Sequence, residues 1–317
     1  MNDPERLDVN RDRARGCLLG QLIGDSLGSL VEFQSPEQIQ RRYPTGVCDL
    51  EDGGTWGTIA GQPTDDSEMA LALARTLVDQ AEYDQNKARS AYVDWLNSRP
   101  FDVGNTVSAG LRGTPNFESQ ANGALMRVSP LGIFGAGKDS DLLARWARED
   151  AWITHPHQIT QDANVLFVLT ISRIVEQGMS RDQAIAVLQN TGAEHGLAEA
   201  VVASVRRGIE RPPDDYLASQ GWVLIALQNA VYQLSNSPSL EAALVDTVGR
   251  GGDTDTNGAI CGALLGAVYG SSGIPDRWIQ PVLACEPDAG RAGVLRPRPR
   301  EYWPVNALEI ADALLRS

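Results

Sequence analysis

Four glycines, Gly16, Gly20, Gly24 and Gly28, fall at every fourth position of RARGCLLGQLIGDSLGSLVEF (13–33), a segment that otherwise reads as one helix. Glycine inside a helix costs about 1 kcal/mol relative to alanine, so a stripe of four requires a compensating contact. A helix face without side chains lets another backbone come close, and that contact is the compensation expected here. A second stripe, Gly262, Gly266 and Gly270, runs through AICGALLGAVYGSSG (259–273). No stretch of the chain reaches the roughly 18 charge-free apolar residues that a membrane helix requires, so glycine-mediated pairing in a bilayer is the poorer explanation. The two striped segments are expected to pack on each other in the core.

Other segments show helical spacing as well. TDDSEMALALARTLVD (64–79) follows a Gly/Pro-rich stretch, with Asp65 and Glu68 at the spacing of a capping box. NKARSAYVDWLNSR (86–99) is a further helix, stopped by Pro100. Turns and short helices are expected from there to the helical second half of ITHPHQITQDANVLFVLTISRIVEQG. The segments SRDQAIAVLQNTGA, GLAEAVVASVRRGI, GWVLIALQNAVYQL and SLEAALVDTVGRG add four helices, and NALEIADALL closes the chain after an irregular RAGVLRPRPREYWP. Strand-like alternation is nearly absent, and no repeat or long linker interrupts the pattern. The expectation is a single all-α domain over 13–317 behind a polar lead, 1–12.

Charge narrows the partners. The 41 acidic residues outnumber the 27 basic ones, for a net charge of -14. That balance opposes a groove that tracks nucleic acid and opposes binding to an anionic membrane, so neither partner is expected. Cys17, Cys48, Cys261 and Cys285 lack metal-site spacing and read as free thiols in a reducing compartment. The charged start MNDPERLDVNRDR has no apolar leader core, so a cytoplasmic location is expected.

Two acidic clusters sit at expected helix starts: Thr64-Asp65-Asp66 and, in GGDTDTNGA, Asp253-Thr254-Asp255-Thr256. A third is formed by Glu32 and Asp25 on the first glycine-striped helix. Either Asp/Thr cluster alone is ordinary helix capping. Several carboxylates gathered beside apolar segments would repel one another and resist desolvation without a cation. Oxygen donors suit Mg²⁺ or Mn²⁺, and no histidine cluster suggests zinc. A divalent-metal hydrolase, binuclear if both clusters contribute, fits these residues.

Six stretches together give a resemblance: GCLLGQLIGDSLGSLVEF, GQPTDDSEMALALARTL, WLNSRPFDVGNT, NGALMRVSPLG, THPH followed by DA, and GGDTDTNGAICGALLGAVYG. In this order they resemble the ADP-ribosylglycohydrolase family, in particular the bacterial, arginine-directed branch named after dinitrogenase reductase-activating glycohydrolase. The resemblance implies a compact all-α fold with two divalent cations, Mg²⁺ or Mn²⁺, at the bottom of a cleft. Carried over, Thr64, Asp65, Asp66, Asp253, Asp255 and Thr256 are the metal ligands. Asp255 bridges toward the second metal, and Glu32 lies beside both. Asp102 sits where the arginine-directed branch keeps a carboxylate for the guanidinium, which a carboxylate can hold in bidentate fashion. Asn105 shapes the same loop. Asn122 and Gly123 match the loop that wraps the diphosphate, although Ala121 stands where relatives often have glycine. Arg127 is a structural arginine or a phosphate contact. His155 matches a cleft histidine, Asp162 supports it or lies near the metals, and Trp222 matches the adenine end.

The implied reaction is hydrolysis of the N-glycosidic bond between ADP-ribose and arginine on a modified protein, with ADP-ribose as product. Glu32, Asp102 and Asp255 carry it, and a monomer is expected. The competing readings are hydrolysis of serine-linked or O-acetyl-ADP-ribose, immunity against an ADP-ribosyltransferase toxin, and a catalytically silent relative.

Overall fold

The computed structural model describes residues 4–317 of the protein, and they are helical with no strand among them. Fifteen α-helices follow in order. The first seven are α1 Pro4–Gly28, α2 Pro36–Arg42, α3 Asp65–Gln80, α4 Gln85–Asn97, α5 Asn105–Leu111, α6 Ser129–Phe134 and α7 Ser140–Trp152. The remaining eight are α8 Gln158–Gln177, α9 Arg181–Glu194, α10 Glu199–Glu210, α11 Val223–Asn236, α12 Leu240–Gly249, α13 Thr254–Tyr269, α14 Asp276–Leu283 and α15 Ala307–Arg316.

The glycine stripes meet as expected. Helices α1 and α13 run antiparallel, with Gly16 against Gly266, Gly20 against Gly262, Gly24 against Gly258 and Gly28 against Thr254. A methyl group added to Gly20, Gly24, Gly258 or Gly262 would land on the carbonyl oxygen of the residue opposite. Gly258 completes the second stripe, and Thr254 finishes the seam by donating its hydroxyl to the Gly28 carbonyl at 2.7 Å. Around this pair pack α8, α11, α12, α14 and α15, closing an apolar core.

Several boundaries differ from the sequence reading. Helix α1 begins at Pro4, so residues 4–12 extend it. Their anchor is Asp12, whose carboxylate accepts from the Ser271 hydroxyl and from the Ser272 amide and hydroxyl. At its other end α1 stops at Gly28, and residues 29–33 form turns, with Phe33 at φ +63° donating its N–H to the Gly252 carbonyl at 2.7 Å. Asp65 and Glu68 form no capping box, because Thr64 is the cap residue of α3 and Glu68 pairs with Arg298 at 2.7 Å. Helix α7 is longer than the short helices expected there, started by Asp139 accepting from Asp141 and Leu142. Helix α14, which carries Pro281 in its interior, escaped the sequence pattern because proline argues against a helix. All four cysteines are free, with Cys17, Cys261 and Cys285 buried.

Packing backbone on backbone leaves no room for a side chain. Gly262→Ala should lower unfolding free energy by about 2 kcal/mol or more in urea denaturation. Gly249→Ala, at the end of α12 with nothing near its added carbon, should stay within about 1 kcal/mol of the parent. Equal stability of the two variants would refute the seam.

Candidate active site

The glycine seam places two helix starts side by side, and neither is capped by a side chain from its own cap residue. For α3 the missing cap comes from α1. The buried carboxylate of Asp25 accepts from the Thr64 amide at 3.1 Å, the Thr64 hydroxyl at 2.9 Å and the Ser67 amide at 3.1 Å. One turn further along α1, Gly28 lies against the backbone of Thr254 and Asp255 at the start of α13. The two Asp/Thr clusters are thereby held to the same end of one helix.

They open into a cleft of about 380 Å³ whose lining includes Glu32, Asp65, Asp66, Asp102, Asp253, Asp255 and Thr256, with no lysine or arginine. One carboxylate oxygen from each of Glu32, Asp102 and Asp255 lies within 4.8 Å of the others. Asp65 accepts the Gly104 amide at 3.3 Å, Asp253 accepts the Asn122 side-chain amide at 2.7 Å, and Asp255 accepts the Thr256 amide at 2.8 Å. Asp66 takes the Thr64 hydroxyl on one oxygen at 3.2 Å, while its other oxygen is buried without a partner.

Burial first, and neighbouring carboxylates after it, hold these acids far from their ordinary range. Asp65 is pushed up to about 6, Asp25 to about 7, Glu32 to about 8 and Asp102 to about 10. Asp66, Asp253 and Asp255 are raised for the same first cause. Repulsion without a positive side chain, an orphaned buried oxygen and an all-oxygen donor set together fit a hard divalent cation.

Asn105, Asn122, Gly123 and His155 line the same cleft. Gly123 lies close to His155, since an added methyl carbon would stand 2.8 Å from Val107 Cγ2 and 3.1 Å from His155 Cε1. Burial and the Arg127 charge lower His155 to about 3, so it is neutral. Its Nδ1 pairs with the Thr154 hydroxyl at 2.8 Å, and its buried Nε2 at the cleft has no partner.

Four further residues named from the sequence lie outside the cleft lining and have contacts of their own. Arg127 is fully buried, bonded to Asp150 and Thr154 and stacked 4.4 Å over the Tyr92 ring, because a buried guanidinium requires a carboxylate. Trp222 lines a separate surface groove and donates its indole N–H to Gln120 at 2.9 Å. The Thr64 hydroxyl faces Asp25 and Asp66 and does not line the cleft. Asp162 supports neither His155 nor the acidic cluster, since it pairs with Arg148 and accepts the Ala198 amide. The sequence reading also overlooked Trp56, which donates to Glu32 at 2.6 Å, and the cleft residues Phe33, Gln220 and Gly221. A tryptophan in the glycine-rich GGTWG was the available signal for the first.

The model of the ADP-ribosylglycohydrolase family matches residues 6–300. The chain belongs to that family. It is 34% identical over 283 residues to the ADP-ribosyl-[dinitrogen reductase] glycohydrolase of Rhodospirillum rubrum, covering 84% of this chain and 89% of that protein. It is 28% identical to the ADP-ribosylarginine hydrolase Tri1 of Pseudomonas putida, covering 86% of this chain and 74% of the relative. A solved structure titled ADP-ribosylglycohydrolase-related protein complex superposes with a TM-score of 0.78 at 25% identity, covering 98% of this chain and 99% of that one.

The raised carboxyls give this glycohydrolase an unusual pH dependence. In the unfolded chain they release protons near pH 4. The folded, cation-free protein should therefore hold more protons than the unfolded chain from about pH 4 to about pH 10, with stability falling as pH rises through that window. Thermal melts should show Tm dropping from about pH 5 to about pH 8 without cation, and Mn²⁺ should raise Tm more at the higher pH. A Tm indifferent to Mn²⁺ at both pH values would argue against a cation site.

Proposed function

We propose that this ADP-ribosylglycohydrolase cleaves the N-glycosidic bond between ADP-ribose and arginine on a modified protein. The observation that carries the reading is the place of Asp102, whose carboxylate lies within 4.8 Å of those of Glu32 and Asp255 at the cleft. A guanidinium entering beside the acidic cluster meets a carboxylate geometrically suited to its planar fork. The relatives named for arginine or dinitrogen reductase support the same linkage.

Two cations, Mg²⁺ or Mn²⁺, would be held by Asp65, Asp66, Asp253, Asp255 and Thr256, all of which line the cleft. When bound, they orient the ribose hydroxyls and acidify a water. The chain's own groups do the rest. Glu32 takes a proton from the water whose oxygen bonds to the anomeric carbon. Asp102 keeps the guanidine group protonated until the carbon–nitrogen pair leaves with it, so that it departs as neutral guanidine and then takes up the proton held by Glu32. Asn105, Asn122 and Gly123 border the path of the diphosphate, and neutral His155 offers its free Nε2 to the substrate.

A second reading has its own support in the 26% identity to the human ADP-ribosylhydrolase ARH3, which covers 86% of this chain. A panel of arginine-linked, serine-linked and O-acetyl-ADP-ribose substrates separates the two. Arginine-linked substrate should be turned over fastest, and Asp255→Ala should lower kcat about a hundredfold or more. Asp102→Ala should reduce arginine-linked hydrolysis more than affinity for free ADP-ribose. Preference for the serine linkage, or full activity in Asp255→Ala, overturns the reading.

A further inference from the structure

We propose that Trp56 is a positioning residue that fixes the Glu32 carboxylate and its spacing from Asp102. The inference rests on the reading that Glu32 acts in hydrolysis. Glu32 lies beyond the end of α1, on a turn, and is not itself held by helical hydrogen bonding. Three contacts from outside hold it and its chain neighbour in place. The Thr55 hydroxyl donates to the Glu32 carbonyl at 3.0 Å, and Phe33, next in the chain and at φ +63°, donates to Gly252. The third is the Trp56 indole N–H, which donates to Glu32 Oε2 at 2.6 Å.

That third contact is chemically distinct. Asp102 and Asp255 each place a carboxylate oxygen within 4.8 Å of one of Glu32, whereas an indole N–H can only donate and so holds an oxygen that accepts. The ring also packs against Phe101 at a centroid distance of 6.0 Å, and Phe101 directly precedes Asp102. The indole therefore spans the gap between the segments carrying the two acids.

The loop that presents Trp56 is itself fastened. Gly53 and Thr58 pair through both backbone bonds, at 2.7 and 2.9 Å, and Thr55 N–H reaches the Ser29 carbonyl at 3.1 Å. From the C-terminal part of the chain, Arg296 donates through Nε to the Trp56 carbonyl at 2.7 Å. The Arg296 carbonyl in turn accepts the Gln62 amide at 2.6 Å. A loop braced on three sides for a half-buried tryptophan is a support for the group that tryptophan holds.

The test combines kinetics with a readout that needs no turnover. With ¹⁵N-labelled tryptophan, Trp56→Phe identifies which of the seven indole signals belongs to Trp56. In Glu32→Asp, whose carboxylate is one carbon shorter, that signal should move upfield and exchange faster with water. An unmoved signal overturns the bond. Trp56→Phe should lower kcat about tenfold with KM changed less than about twofold, while Tm falls only a few degrees. In the Glu32→Asp background the same substitution should change kcat less than about twofold. Unchanged kcat in Trp56→Phe, or an equal further loss in the Glu32→Asp background, overturns the positioning role. Arg296→Ala, which frees the loop and leaves the indole intact, should broaden the Trp56 signal and lower kcat in the same sense. These comparisons use whichever ADP-ribosyl substrate the enzyme turns over, so a failed arginine preference leaves them intact.

Discussion

Backbone contact between α1 and α13 is the constraint on which the rest of the molecule depends. Each helix gives up side chains along one face, and the loss in helix propensity is offset by close packing of two main chains. Such a seam opposes small slips. Sliding either helix by a residue would drive a side chain into a carbonyl, and the Thr254 hydroxyl on the Gly28 carbonyl marks the register taken. The acidic clusters inherit this accuracy, because one begins the helix at the seam's end and the other hangs from Asp25, one turn back.

The cleft shows how a fold can assemble charge that its parts would otherwise disperse. Helices α3 and α13 both begin at the acidic cluster, so their free amide groups face the carboxylates and partly offset the repulsion. The remainder is met by neutral donors: the Asn122 amide, the Gly104 and Thr256 main chains, and the Trp56 indole. None of these carries charge, and full compensation is left for a cation. Arginines are not scarce in the fold. Arg127 and Arg298 are both buried, yet each is consumed by a structural carboxylate, Asp150 and Glu68 respectively.

What the sequence disclosed follows the range of the forces involved. The glycine stripes were legible because a four-residue period reports a helix face directly. The Thr64-Asp65-Asp66 and Asp253-Thr254-Asp255-Thr256 clusters were legible because carboxylates beside apolar sequence are chemically conspicuous. Asp25 was visible only as a nearby acid, since its partners lie 39 and 42 residues away on another helix. The Asp65–Glu68 capping pattern misled for the same reason: a guanidinium 230 residues downstream captures Glu68. Arg127 could be read as a structural arginine or as a phosphate contact because residue type says nothing of burial, and burial decides whether an arginine serves a substrate or a carboxylate.

The same seam bears on how the molecule comes into being. Its pairing partners are separated by 226 residues at the Thr254–Gly28 bond and by more at each glycine pair before it, and contacts of such span form slowly because a long loop must close first. A nascent chain carries α1 with its glycine face bare and its acidic residues without their counterparts until α13 has been made. The glycine-rich helix is weak by itself, so little holds it in shape during that interval. Assembly of the cleft is therefore a late event in folding, since its two acidic clusters face one another only once that long loop has closed.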